Sequence, residues 1–420
     1  MEHFKITGGK KLSGSIEVRG SKNATTPILA AALLTKEECE ICNVPLIEDV
    51  YRMLEILESM GVKVEWSAER CVKIKADQLD VDKMDLHLVK KLRSSILLLG
   101  SLSARCDKFK IAHPGGCVIG KRPVGTHFDA LAKMGVEVTQ DENCYLVDAS
   151  KKQASKVVLR EFSVTATENA MMLAASIPGK TIIKIAAAEP HVEDLGKFLI
   201  KMGAKIEGLG THTLEITGTD KLGAVKHEIM PDANEAATFL IMGVATKSPI
   251  KVVNARENNL DLVLEKLRQL GAQFKIDEKY IEVVPTEKLI AIEKLDMRTY
   301  PGVPTDIQAP LGVLATQCEG ETLIFDTMFE GRFNYVSELE KMGARAKILN
   351  PHQAVFEGPV ELRGTAIKSF DLRAGASLII AALCAKGESI IEEIYQVDRG
   401  YERIEERLQR LGADIERVSN

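Results

Sequence analysis

The chain has 420 residues, of which 45% are hydrophobic and 27% charged, with a formal net charge of −5. That length exceeds one ordinary core, so two domains of soluble globular type are expected. The acidic balance argues against general nucleic-acid binding, so any anion site must be a local cluster of cations.

Met1-Glu2-His3-Phe4-Lys5 contains no apolar signal-peptide core. The longest apolar runs, such as Ile96-Leu97-Leu98-Leu99-Gly100-Ser101-Leu102, are too short to span a bilayer. A cytoplasmic protein without a membrane partner is therefore expected. The cysteines at 39, 42, 71, 106, 117, 144, 318 and 384 are scattered and read as free thiols in a reducing compartment. Cys39-Glu40-Ile41-Cys42 has metal-ligand spacing but lacks a second pair or a nearby histidine, so it reads as structural.

Arg19-Gly20-Ser21-Lys22-Asn23-Ala24 precedes the first apolar helix. A lysine at a helix start joins a point charge to unsatisfied N–H donors, which suits an anion. A solvated lysine beside an N-cap fits the same residues. The spacing is not that of a Walker A loop.

Residues 113–127 read His-Pro-Gly-Gly-Cys-Val-Ile-Gly-Lys-Arg-Pro-Val-Gly-Thr-His. Four glycines and two prolines argue against ordinary helix or strand over this stretch. Cys117 is followed by Lys121 and Arg122, and nearby cations lower a thiol pKa. Arg122-Pro123 offers a bidentate fork for an anion. A mobile loop bringing a reactive thiol to an anionic substrate is one reading; a surface turn with an incidental cysteine is the other.

Six segments share one pattern: an amphipathic helix ending in Met-Gly or Leu-Gly, then a short strand. The glycines are 61, 135, 203, 271, 343 and 412, about 70 residues apart. Each stands where a helix C-cap needs a left-handed residue. Ahead of each lies a helix apolar nearly all round, at 24–34, 94–104, 168–176, 235–245, 306–315 and 374–385, which should be buried. Six units of the βαβ kind divide into two domains of three, with a joint near Met230-Pro231-Asp232. A cleft between two such domains is the default place for a ligand.

Tyr300-Pro301-Gly302-Val303-Pro304-Thr305-Asp306 places a carboxylate at a buried helix start, as an N-cap or, facing a cleft, as a general base. Asp371-Leu372-Arg373 and Val397-Asp398-Arg399 each open a predicted helix, and Arg93 precedes another. With Lys22 these arginines make four cations at predicted helix starts, which points to a shared cluster.

Together these stretches resemble the UDP-N-acetylglucosamine enolpyruvyl transferases along essentially the whole chain. The marks are Gly20-Ser21-Lys22-Asn23-Ala24, Pro114-Gly115-Gly116-Cys117 with Arg122-Pro123-Val124, Pro304-Thr305-Asp306, and Asp398-Arg399-Gly400-Tyr401-Glu402-Arg403. The sister family acting on shikimate 3-phosphate shares the repeated fold without the cysteine loop. The resemblance implies an α/β fold of two inside-out domains, each of three repeated units with buried helices. Residues 22–230 would form the first domain, and 1–21 with 231–420 the second. It implies transfer of enolpyruvyl from phosphoenolpyruvate to the 3-hydroxyl of UDP-N-acetylglucosamine, without metal or organic cofactor. It assigns Cys117 as general acid and Asp306 as acceptor of the hydroxyl proton. Lys22, Arg122 and Arg399 would hold phosphate and carboxylate with Asn23 beside them, and Arg373 would add to that cluster. Arg93, the run Arg122, Pro123, Val124, Gly125 and Thr126, and Met328 would line the nucleotide-sugar site. Gly125, Thr165 and Ala233 stand where the family usually has aspartate, glycine and arginine. An altered acceptor, or a silent nucleotide-sugar-binding paralogue, are the competing readings. The joint presence of Cys117, Asp306, Lys22 and Arg399 argues against the silent one.

Overall fold

The computed structural model describes residues 2–115, 120 and 122–419. It contains two compact units, one drawing on Met1–Arg19 and Pro231–Asn420, the other on Gly20–Gly116 and Arg122–Met230.

The repeat is clearest in residues 294–358. Strand Lys294–Met297 leads through a short 3-10 turn, Thr305–Ile307, into the helix Gln308–Ala315. Strand Gly320–Asp326 returns parallel to the first, which a hairpin cannot do and a helical crossover can. The amphipathic helix Val336–Lys341 follows, then the antiparallel pair Arg345–Asn350 and Gln353–Gly358. Residues 156–218 repeat the plan with the inner helix Val164–Ser176 and the outer helix Pro190–Met202. Among the described residues there are six sheets, five of four strands and one of three.

Every residue of Gln308–Ala315 is buried, because its small and apolar side chains leave no polar face to solvate. Helix Leu372–Cys384 is buried from Leu372 to Leu383. Each large aliphatic side chain placed this way, such as Leu378 or Ile379, stabilises the fold by about 1.5–3 kcal/mol. The six expected inner helices are all present and buried along their apolar residues. The six repeat glycines all have positive φ, between +80 and +121°. At Gly135 a Cβ would also stand 2.1 Å from the Lys151 carbonyl oxygen, so a side chain there is excluded twice.

Three sheets are completed by distant segments, one of them by strand Gly14–Glu17, which runs parallel to Ile250–Val253. Strand Glu2–Thr7 lies antiparallel between Glu388–Glu392 and Asp414–Ser419. Strand Lys226–Glu228 runs parallel to Glu38–Cys42. Each unit holds its own apolar core.

Two sequence expectations need correction. Cys42 and Cys71 are not free thiols: they form a disulfide, with Cα atoms 4.0 Å apart. Register is the cause, since Ile41 pairs with Val72 and sets Cys42 opposite Cys71 on adjacent antiparallel strands. The disulfide also removes Cys42 from any Cys39–Cys42 ligand pair. The 113–127 stretch was expected to lack regular structure, but Gly125 opens the helix Gly125–Lys133. Among the described residues no helix is long and apolar enough to cross a membrane.

Candidate active site

Asp306 is the second residue of the 3-10 turn Thr305–Ile307, whose N-cap is Pro304. The cap position belongs to Pro304, which corrects the N-cap reading, and the Asp306 carboxylate binds side chains. Oδ1 accepts from Arg332 Nη2 at 2.5 Å, and Oδ2 accepts from Arg373 Nη2 at 2.9 Å and Asn234 Nδ2 at 3.4 Å. Arg332 and Arg373 are 5% and 4% exposed, so these are charge-assisted bonds largely screened from water. Arg373 also donates from Nη1 to the Tyr401 hydroxyl at 3.1 Å, which lies 3.0 Å from Thr238 Oγ1. Burial opposes the charge on Arg373, but Asp306, Tyr401 and Asp232 outweigh it and raise its pKa. Asp371 anchors this arginine's backbone as the N-cap of Leu372–Cys384, accepting from Arg373 N at 2.8 Å.

The support extends to a nearby loop. Arg332 Nε donates to Thr305 Oγ1, and Thr305 donates to Asp326 Oδ2. Asp326 Oδ1 in turn accepts from Met328 N at 2.8 Å, fixing the loop that carries the half-exposed Met328. Arg399 is 8% exposed, and its Nη1 donates to Gln396 Oε1 at 3.2 Å. It caps the C-terminal end of Tyr395–Asp398, not a helix start; the next helix begins at Ile404. Arg417 clamps this turn with two bonds to Asp398, at 2.7 and 3.0 Å, and two to Glu405, at 2.6 and 3.3 Å.

In the other unit, Ser21 caps the helix Lys22–Ala31, accepting from Ala24 N at 3.3 Å. Lys22 and Asn23 are its first two residues, both partly exposed. Lys22 Nζ lies 3.0 Å from the buried Asp49 carboxylate. That partner fixes the ammonium group at the helix N-terminus.

A second cluster in this unit brings Arg93 and Arg122 together. Arg93 Nη2 donates to the Arg122 carbonyl at 2.5 Å. Burial and the Arg122 charge push Arg93 down to about 10. Pro123 is exposed, Val124 half-buried, and Gly125 exposed with nothing within 4 Å of where a Cβ would stand. Thr126 Oγ1 donates to Glu161 Oε1 at 2.7 Å, and His127 Nε2 lies 2.7 Å from Thr165 Oγ1. Burial, with Arg93 and Arg122 adding to it, lowers the His127 pKa to about 4. The ring is therefore neutral at physiological pH. At the start of the loop, His113 packs on Tyr145 with centroids 4.4 Å apart.

Of the expected site residues, Asp306 and Arg373 are in direct contact, as are Arg93 and Arg122. Cys117 lies outside the described residues. Among the three unusual positions, Gly125 and Thr165 border the Arg93–Arg122 cluster. Ala233 opens the helix Ala233–Ala245, whose N-cap Asp232 accepts from Asn234 N and Glu235 N. Sequence reasoning missed Arg332, Asn234, Asp49, His127 and Glu161 as members of these clusters. His127 closes the 113–127 stretch without a role assigned to it; the other four belong to no local motif, so only three-dimensional pairing picks them out.

The family model for EPSP synthase (3-phosphoshikimate 1-carboxyvinyltransferase) matches residues 6–408. The UDP-N-acetylglucosamine 1-carboxyvinyltransferase of Koribacter versatilis (strain Ellin345) is 41% identical over 421 residues, covering 100% of this chain and 97% of its own. Its counterpart from Bradyrhizobium diazoefficiens is also 41% identical, covering 98% of this chain and 97% of its own. The enolpyruvyl transferase NikO from Streptomyces tendae superposes with a TM-score of 0.90 at 25% identity, covering 100% of this chain and 99% of that one. EPSP synthase from Acinetobacter baumannii shares the fold, with a TM-score of 0.76 at 21% identity over 100% of both chains. With the repeated α/β architecture and the arginine-held carboxylate, these matches lead to one conclusion: the chain belongs to the enolpyruvyl (1-carboxyvinyl) transferase family and is an enzyme.

Proposed function

We propose that this enzyme transfers the enolpyruvyl group of phosphoenolpyruvate to the 3-hydroxyl of UDP-N-acetylglucosamine and releases phosphate. The reaction is the first committed step of peptidoglycan synthesis and serves cell-wall growth from the cytoplasm. Full-length kinship at 41% identity with enzymes named for this acceptor supports the reading. The observation that carries it chemically is Asp306, whose two carboxylate oxygens are oriented by Arg332 and Arg373.

In this reading the Cys117 thiol gives its proton to the methylene carbon of phosphoenolpyruvate. The adjacent carbon takes oxocarbenium character, and the sugar 3-oxygen bonds to it as its proton passes to Asp306. A tetrahedral adduct results that still carries phosphate. The thiolate left on Cys117 then takes up a methyl proton, which restores the double bond as the carbon–oxygen bond to phosphate breaks and phosphate leaves. Lys22, Arg122 and Arg399 hold the phosphate and carboxylate, with Asn23 beside them, because a small multiply charged substrate needs several fixed cations. Arg373 acts through Asp306, since its terminal nitrogens go to Asp306 and Tyr401. Arg93, the run from Arg122 to Thr126, and Met328 line the nucleotide-sugar side.

Mass spectrometry of the product is the direct test. The expected result is UDP-N-acetylglucosamine heavier by one carboxyvinyl group, with one phosphate released per molecule. An unmodified sugar nucleotide in the presence of phosphoenolpyruvate would refute the assignment.

A further inference from the structure

Thr165 is the second residue of the inner helix Val164–Ser176, whose N-cap is Ser163. A β-branched side chain on a rigid helix has few rotamers, so its hydroxyl is a fixed point. That hydroxyl lies 2.7 Å from Nε2 of His127, which is 3% exposed. His127 belongs to the first turn of Gly125–Lys133, directly after the coil that carries Arg122. Arg122 in turn accepts the Arg93 guanidinium on its carbonyl oxygen. Thr165 therefore ties the segment presenting Arg122 to the rigid inner helix, through one buried imidazole. A glycine at 165 would have no group to give to that ring nitrogen, and a buried polar atom without a partner is costly.

We propose that Thr165 is a positioning residue for the nucleotide-sugar half of the site. Its hydroxyl fixes the orientation of the His127 ring, and the held ring sets the Arg93–Arg122 pair for the diphosphate of a sugar nucleotide. The inference rests on the acceptor reading of the preceding subsection. Two cations brought together in a half-buried place suit a diphosphate, whose paired negative charges relieve their mutual repulsion.

The test uses the full chain with Thr165→Val, which keeps shape and β-branching but removes the hydroxyl, and Thr165→Ser, which keeps the hydroxyl. Thr165→Val should raise KM for UDP-N-acetylglucosamine about tenfold, the worth of one buried hydrogen bond. kcat should stay within about twofold of wild type, and the KM for phosphoenolpyruvate should rise less than that for the sugar nucleotide, because of the pair only Arg122 also holds phosphoenolpyruvate. Thr165→Ser should restore the wild-type KM. Nitrogen-15 NMR of the histidine rings reads the clamp without turnover, with the His127 signal identified by its loss in His127→Gln. That signal should shift in Thr165→Val, because the hydrogen bond at Nε2 is lost. An unchanged ring signal and unchanged KM in Thr165→Val would overturn the proposal. So would an equal rise in both KM values, which marks a general structural effect. A wild type that leaves UDP-N-acetylglucosamine unmodified, while the ring signal still depends on Thr165, would refute the acceptor reading and leave the clamp standing.

Discussion

The two buried charge clusters solve opposite problems. Around Asp306, one carboxylate is shared by two arginines that are almost fully buried. Burial disfavours their charge, but the facing anion more than compensates, and the Arg373 pKa rises. Around Arg93 burial is the larger effect and a neighbouring arginine adds to it, so its pKa falls to about 10. The first cluster is complete within the protein and holds a carboxylate in one orientation. The second brings like charges together, which an incoming anion relieves. A preorganised base belongs with the first arrangement and anion binding with the second. Removing a residue should therefore harm turnover in one cluster and substrate affinity in the other.

The largest effect is expected outside both clusters. Cys117→Ser should lower kcat by about 10²–10⁴-fold, the range of a lost general acid, with unchanged circular dichroism. Full activity in that variant would remove the thiol from the mechanism. Asp306→Asn should lower kcat about 10²-fold or more with little change in either KM. It should also lower the melting temperature, because it leaves Arg332 and Arg373 facing a neutral amide. A rise in KM without loss of kcat would break the contrast between the clusters.

Arg93→Met should do the reverse. KM for the sugar nucleotide should rise about 10–100-fold with kcat nearly kept, as for a lost charge-assisted contact. Thermal stability should hold or increase, since a buried cation beside Arg122 is gone. A clear loss of stability would show that Arg93 is structural.

The smallest effect concerns pH. His127 is lowered to about 4 from 6.5, so between these values the unfolded chain binds more protons than the folded one. This contribution to stability is fully present above 6.5 and lost as pH falls towards 4. It amounts to at most about 3 kcal/mol. Urea titrations should show His127→Gln with a shallower decline over that window. Parallel curves for the two proteins would contradict the buried neutral ring.

The repeats were legible in the sequence because each Met-Gly or Leu-Gly reports a local backbone need, the left-handed residue after a helix. The inner helices were legible for a similar reason, since their composition leaves no solvated face. Strand Glu2–Thr7, seated between strands at the far end of the chain, carried no such mark. Neither did the Cys42–Cys71 bond, which depends on strand register across 29 residues. At the site, Asp306 and Arg373 stood out at the starts of apolar helices. Arg332 did not, because Gly331-Arg332-Phe333 has no pattern and the arginine finds Asp306 only in three dimensions. Likewise the pairing of His127 with Thr165, 38 residues apart, exists only in three dimensions.

The most direct test of the account is phosphate release from phosphoenolpyruvate with two rival acceptors. UDP-N-acetylglucosamine should support release, and shikimate 3-phosphate should not. Release with shikimate 3-phosphate, or with neither acceptor, would contradict the account.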